Sequence, residues 1–159
     1  MVKNPGRLVA FSIEGQGYAL YLSAVEKIVR AVEITPLPKA PEIVSGVINL
    51  HGRVIPVLNI RRRFLLPERG IVASDQFIIA STLKRTVALC ADDVRGVIER
   101  PEQEVSKSKE ILPHMEYVDG VVKLDDGIVL IHDLDTFLSL EEEKELDKAS
   151  GKRNGEKKG

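Results

Sequence analysis

The residues that could do chemistry are few and widely spaced. His51, His114 and His132 are the three histidines, and Cys90 is the single cysteine. None of the histidines has a ligand partner at metal-binding spacing, and one cysteine cannot build a thiolate site. Asp125, Asp126, Asp133 and Asp135 form an acidic group. Their spacing lacks the regular oxygen ladder of a calcium loop, and Asp126-Gly127 already reads as a hairpin turn. Cys90 falls inside the apolar run TVALCA, where a thiol serves as a small hydrophobe rather than as a nucleophile beside a base. Glu14-Gly15-Gln16-Gly17 has two glycines but no following helix or lysine pattern, so it reads as a strand-to-strand turn, not a phosphate loop. His132 ends an apolar run and is expected at a strand end or in the core. These readings predict no metal, no cofactor and no reaction.

What the chain does concentrate is arginine. GVINLHGRVIPVLNIRRRF, residues 46–64, carries Arg53 and Arg61 to Arg63, and no acidic residue falls between Glu42 and Glu68. Such a set predicts a positive hairpin that meets an acidic protein surface. The alternative is a nucleic-acid-binding barrel whose arginines contact phosphate, with affinity falling steeply in salt. A net charge of −1, no tryptophan and only seven Phe and Tyr residues weigh against that alternative. The stretch from Tyr117 to Asp135 has the opposite sign, with five Asp against Lys123.

The elements that must position these residues are short Val- and Ile-rich runs. Residues 8–13, 18–22, 46–50, 53–60, 76–81, 86–91, 120–124 and 127–132 read as strands, separated by turn signals at 14–17, 51–52 and 126–127. Pro56 lacks a ladder donor, which predicts an edge strand or a bulge there. The chain also repeats. Residues 46–50 match 120–124 at an offset of 74 (120 − 46), and residues 18–30 match 87–99 at an offset of 69 (87 − 18). A longer polar connection in the second copy, EQEVSKSKEILPHMEYVD, accounts for the difference. Two strand-rich units of about 70 residues predict two small barrels. Helix is expected over Leu134 to Leu146, and the tail DKASGKRNGEKKG offers nothing to bury and should be disordered. With no secretory signal and no apolar run near 18 residues, the chain reads as soluble and cytoplasmic.

FSIEGQGYALYLSAVEKIVR, ITPLPKAPEIVSGVINLHGRVIPVLNIRRRF, FIIASTLKRTVALCADDVRGVIE and DGVVKLDDGIVLIHDLDTFL together resemble a CheW-type chemotaxis coupling domain. The likeness runs from about Leu8 to Leu140, and PLPKAPEIVSGVINLHGRVIPVLNIR is its most specific part. The resemblance implies a mainly all-β fold: two five-stranded SH3-like barrels packed together, with short helices between strands and a C-terminal helix. It implies one domain over residues 1–140 made of two interleaved barrel subdomains, the first centred on 18–66 and the second on 76–135. Residues 141–159 would be the helix end and a charged tail. It implies a free-standing, non-enzymatic adaptor, recruited to membrane receptor arrays without inserting in the membrane. There it would couple the helical cytoplasmic tip of chemoreceptors to the regulatory domain of a histidine kinase. The receptor would dock in a groove between the barrels.

By the same resemblance, Val25, Lys27, Gly46 and His51 would bind receptor, and Asn49, Arg53 and Arg61 would bind kinase. Gly46 would be glycine because a side chain would obstruct the approaching helix. Three positions depart from the family pattern: His51 replaces an arginine, Lys27 a glutamate and Asn59 an aspartate. Histidine lacks the guanidinium fork, and Lys27 reverses a charge, so a divergent partner is expected.

Overall fold

A computed structural model describes residues 6–101, 104–107, 117–125 and 127–151. His114 and Asp126 lie outside the described residues, as do most of the polar connection and the end of the tail. Eleven strands are described: β1 Arg7–Ile13, β2 Gln16–Tyr21, β3 Val25–Arg30, β4 Val44–Leu50, β5 Arg53–Leu58, β6 Gln76–Ser81, β7 Thr86–Ala91, β8 Asp93–Glu99, β9 Val105–Lys107, β10 Val118–Leu124 and β11 Gly127–His132. A one-turn helix, α1 (Ile60–Arg63), follows β5, and α2 (Leu140–Ala149) closes the described chain.

The repeat seen in the sequence is the repeat of the fold. Moving β4 and β5 along by 74 residues lands on β10 and β11, end for end. Even the backbone irregularities recur. The register shifts between Val44 and Gly46 in one copy and between Val118 and Gly120 in the other. Asn59 N–H donates to the Ile43 carbonyl at 2.7 Å, and its counterpart Asp133 N–H donates to the Tyr117 carbonyl at 2.8 Å.

Sheet membership nevertheless crosses the repeat boundary. One sheet has the order β3-β6-β7-β5-β4, and the other β8-β1-β2-β11-β10-β9. Each contains one parallel pair, β5 with β7 and β11 with β2, where a hairpin from one copy joins a hairpin from the other. The second sheet thus has six strands where five were expected. The extra strand has a counterpart: Ser106 on β9 pairs with Val121, and Thr35 bridges to Val47, the residue that corresponds to Val121. In both sheets the chain leaving the far edge strand crosses over to pair with the opposite edge.

Three apolar clusters hold this arrangement. Ile48, Leu50, Ile55, Val57, Phe77, Ile79 and Ala88 pack within the five-stranded sheet. Leu8, Ala19, Tyr21, Val122, Val129 and Ile131 pack within the six-stranded one. The largest cluster takes residues from both, including Phe11, Tyr18, Leu20, Leu58, Ile78, Ala80 and Leu89. On β6, Phe77 and Ile79 belong to one cluster and Ile78 and Ala80 to the other. That double burial explains why the run reads as continuously apolar rather than alternating.

Two local expectations need correction. Pro56 is not on an edge strand, since β5 lies between β4 and β7. The β5–β7 pairing begins only at Val57, however, so the proline occupies the half of the strand without a neighbour on that side. The helix expected over 134–146 is broken in two. A 3₁₀ turn spans Leu134–Thr136, and α2 starts afresh at a capping box in which the Ser139 hydroxyl accepts from Glu142 N–H and the Glu142 carboxylate accepts from Ser139 N–H.

Candidate functional site

Residues named from the sequence gather at one end of the five-stranded sheet. The β4–β5 hairpin turns on His51 and Gly52, with φ of 53° and 87°. Two successive positive φ values make the primed turn that fits the twist of a hairpin. Asn49 holds it, its side-chain oxygen accepting from Gly52 N–H at 2.9 Å. Past the turn, Arg53 reaches across to β3, donating to Glu26 at 2.6 and 3.3 Å and to the Thr86 hydroxyl at 3.3 Å. The β3 register slips between Val25 and Lys27, which leaves Glu26 as the bulged residue. A bulge re-aims a side chain, and here the re-aimed carboxylate meets Arg53. The hydrogen bond from Arg53 holds the Glu26 carboxyl below its ordinary range. Lys27 and His51 are exposed beside this pair, and Val25 is half-buried against the central core.

Gly46 and Arg61 do not belong to that surface. Gly46 is buried, with a φ of 152°. A Cβ there would lie 2.4 Å from the Thr35 carbonyl oxygen and 2.6 Å from Ile34 Cγ2. The glycine is required by the protein's own closing segment. Its repeat mate Gly120 faces the equivalent segment, with a Cβ position 3.1 Å from the Ser106 carbonyl oxygen.

The arginines that appear unneutralised in the sequence are all paired in space. Arg61 is buried, and donates to Glu14, to Asp92 at 2.7 Å and to the Pro67 carbonyl at 3.0 Å. Burial opposes its charge, but the two carboxylates more than offset that and raise its pKa. Asp92 also accepts from Arg69 at 2.7 Å, and Arg69 forks onto Asp75 with two bonds of 2.9 Å. Asp75 is 1% exposed and its pKa is lowered, chiefly by Arg69. Arg62 lies 3.6 Å from both Glu42 and Glu68. Arg63 pairs with Glu142 at 2.8 Å. The acids that meet Arg61 and Arg63 come from the β1–β2 turn, from the β7–β8 junction and from α2, far from those arginines in sequence. No local pattern could have found Glu14, Asp92 or Thr35 as partners. With every one of these arginines paired to a carboxylate of the protein itself, the arrangement gives no support to a phosphate-contact surface.

The remaining surface signal is apolar and doubled. Ile28 and Val97 occupy repeat-equivalent positions on β3 and β8, and are 38% and 56% exposed. Val54 and Ile128 occupy equivalent positions on β5 and β11, at 67% and 45%. The duplication thus sets out the same exposed aliphatic positions twice.

Cys90 and His132 sit in packed surroundings. Cys90 is half-buried beside Asp75, and burial pushes its thiol up to about 12. His132 is 2% exposed and stacks on Tyr18 at 4.8 Å and Phe64 at 5.1 Å. Among the described residues no group of His, Cys, Asp and Glu is placed to hold a metal ion. A cleft of about 800 Å³ opens between residues 31–34, 42–45, 59–62 and 68–73. It lies on the five-stranded sheet and its following loop, whereas the space between the sheets is filled by the central core. No described helix is long and apolar enough to cross a membrane.

Comparison with known proteins agrees with this geometry. The chain is 26% identical over 146 residues to a chemotaxis protein CheW of Treponema pallidum, covering 88% of this chain and 86% of the relative. It is 30% identical over 135 residues to a chemotaxis protein CheW of Thermotoga maritima, covering 82% and 86%. The crystal structure of the scaffolding protein TtCheW from Thermoanaerobacter tengcongensis superposes with a TM-score of 0.77 at 30% identity, covering 87% of this chain and 95% of that one. The CheW-like domain family matches residues 7–142, and the chain belongs to that family.

Proposed function

We infer that this chain is a non-enzymatic coupling adaptor of a chemotaxis signalling system. It joins the regulatory domain of a histidine kinase to the helical cytoplasmic tip of chemoreceptors. The observation that carries the reading is the match of residues 7–142 to the CheW-like domain family, with relatives named as chemotaxis proteins; the exposed aliphatic positions Ile28, Val54, Val97 and Ile128, which recur in both copies, add to it. Exposed aliphatic positions repeated in both copies suit a protein that contacts other proteins. In this reading the protein works in the cytoplasm and is recruited to membrane receptor arrays by its partners. Lys27, His51 and Arg53 are its contact residues, and Val25 supports them from below. Asn49, Gly46 and Arg61 act through the shape they hold. Lys27 and His51 set the partner's required charge, which differs from that met by a glutamate and an arginine.

The test is titration calorimetry of the purified chain against the kinase regulatory domain and a receptor-tip helical hairpin from the same organism. Binding of both is expected. Val54→Asp and Ile128→Asp should each weaken kinase-domain binding about tenfold, equivalent to ~1.4 kcal/mol, while far-UV circular dichroism stays unchanged. Wild-type affinity in both variants would refute the assignment of these faces. Absence of binding by the wild type would refute the adaptor reading.

A further inference from the structure

The helix α2 presents its acids inward. Glu143 and Leu146 are buried, Glu142 and Asp147 are half-buried, and Glu141, Lys144, Glu145 and Lys148 face solvent. The inward carboxylates meet two arginines of the body. Arg63 donates to Glu142 at 2.8 Å and lies over the Tyr117 ring, 4.7 Å from its centre. Arg85 donates to Asp147 at 2.7 Å, and its Nη2 lies 2.7 Å from Glu143 Oε1, an ion pair that lacks hydrogen-bond alignment. We propose that Arg63, Arg85 and Tyr117 form a cationic seat for an acidic helix face, that α2 is its resident occupant, and that an acidic helical segment of a protein partner can take its place.

Four observations support displacement. Leu146 is the one buried apolar side chain of α2, and Leu140 is 73% exposed, so ionic contacts carry most of the docking. A ten-residue helix is marginal on its own in water. The family match ends at residue 142, so most of α2 lies beyond the shared domain. The seat is also incompletely used. The Nε of Arg63 and the Nε of Arg85 are both buried without a hydrogen-bond partner among the described residues. Buried guanidinium donors without acceptors are costly. An occupant whose carboxylates engage the arginine forks in full would bind better than α2 does.

The experiment uses the full chain and a fluorescein-labelled peptide of residues 139–151, SLEEEKELDKASG. Glu143→Gln with Asp147→Asn loosens α2 and leaves the seat intact. Fluorescence anisotropy should show saturable binding to that double variant at least tenfold tighter than to the wild type. Adding Arg85→Gln should abolish it, and raising sodium chloride from 50 to 500 mM should weaken it. Hydrogen exchange should show α2 amides at least tenfold faster in the double variant, with strand amides unchanged. No binding to the double variant, or binding indifferent to Arg85→Gln, would overturn the seat. Equal α2 exchange in wild type and double variant would overturn its release.

Discussion

His132 gives the sharpest quantitative prediction. It lies among Phe11, Tyr18, Phe64 and Phe137, with ring-centre distances of 4.8 to 5.6 Å, and neither ring nitrogen has a hydrogen-bond partner among the described residues. Burial lowers its pKa to about 3, from an ordinary 6.5. Stacking on Tyr18 and Phe64 would favour a cation by on the order of 1 kcal/mol. A drop of this size corresponds to about 5 kcal/mol against the cation, so desolvation wins. The folded state therefore resists a proton that the unfolded chain accepts. The stabilising contribution is complete above the unfolded pKa of about 6.5 and is lost as pH falls toward 3. Between pH 7.5 and pH 5.0 the loss from this one group is about 2 kcal/mol, at roughly 1.4 kcal/mol per unit. His132→Leu places there the residue that the repeat uses at Leu58, itself 1% exposed. Urea denaturation of both proteins at the two pH values isolates the effect, because packing differences cancel between pH values. The variant should lose about 2 kcal/mol less on acidification than the wild type. Equal pH dependence in the two proteins, or an NMR titration of His132 near 6.5, would refute the reasoning.

Three further outcomes follow from the same structure. Gly46→Ala combines a positive φ with a contact no Cβ tolerates and should destabilise by on the order of 4 kcal/mol, against about 1 kcal/mol for Gly120→Ala; urea denaturation measures both, and a binding defect in any Gly46 variant has to be read beside its stability. Arg61→Ala strands Glu14 and takes one of two arginines from Asp92, so it should cost about 3 kcal/mol, whereas Arg62→Ala, with long exposed pairs, should cost under about 1 kcal/mol, again by urea denaturation. Cys90, its thiol pushed up to about 12, should be inert to thiol reagents at pH 8 in the native protein and react promptly once urea unfolds it.

The legible parts of this fold are those specified by neighbours in sequence. A glycine, an apolar run and a two-residue turn fix each hairpin, which is why β4–β5 and β10–β11 could be matched residue for residue. The strands β3 and β8 were not named as strands, although the repeat spanned them. Their sequences, VEKIVR and DVRGVIE, mix charges among apolar residues because each strand exposes one face and carries a bulge, at Glu26 and at Arg95. The exchange of hairpins between sheets was equally hidden, since parallel pairing of β2 with β11 depends on contacts more than a hundred residues apart. The site suffered most. The neighbour of Gly46 that no sequence pattern shows is Thr35, which reaches it through a loop of no regular pattern. Arg61 looked free because Glu14 and Asp92 are 47 and 31 residues away.

Duplication and divergence divide the labour of the surface between them. Backbone geometry is copied so closely that bulges, bridging segments and exposed aliphatic residues all recur, which gives two faces of one shape. Side chains at the bulge and turn positions are not copied. The bulge residue is Glu26 in one copy and Arg95 in the other, the turn begins with His51 or Asp125, and the clamp residue Arg53 is replaced by Gly127. A partner that fits one face by shape therefore meets different charge on the other. Shape alone would let either end of the molecule take either partner, and like-for-opposite charge changes at equivalent positions are the economical way to prevent it. Selectivity between the two ends should accordingly reside in Glu26, Arg53 and His51 against Arg95, Asp125 and Gly127, while affinity at both ends resides in the shared aliphatic residues.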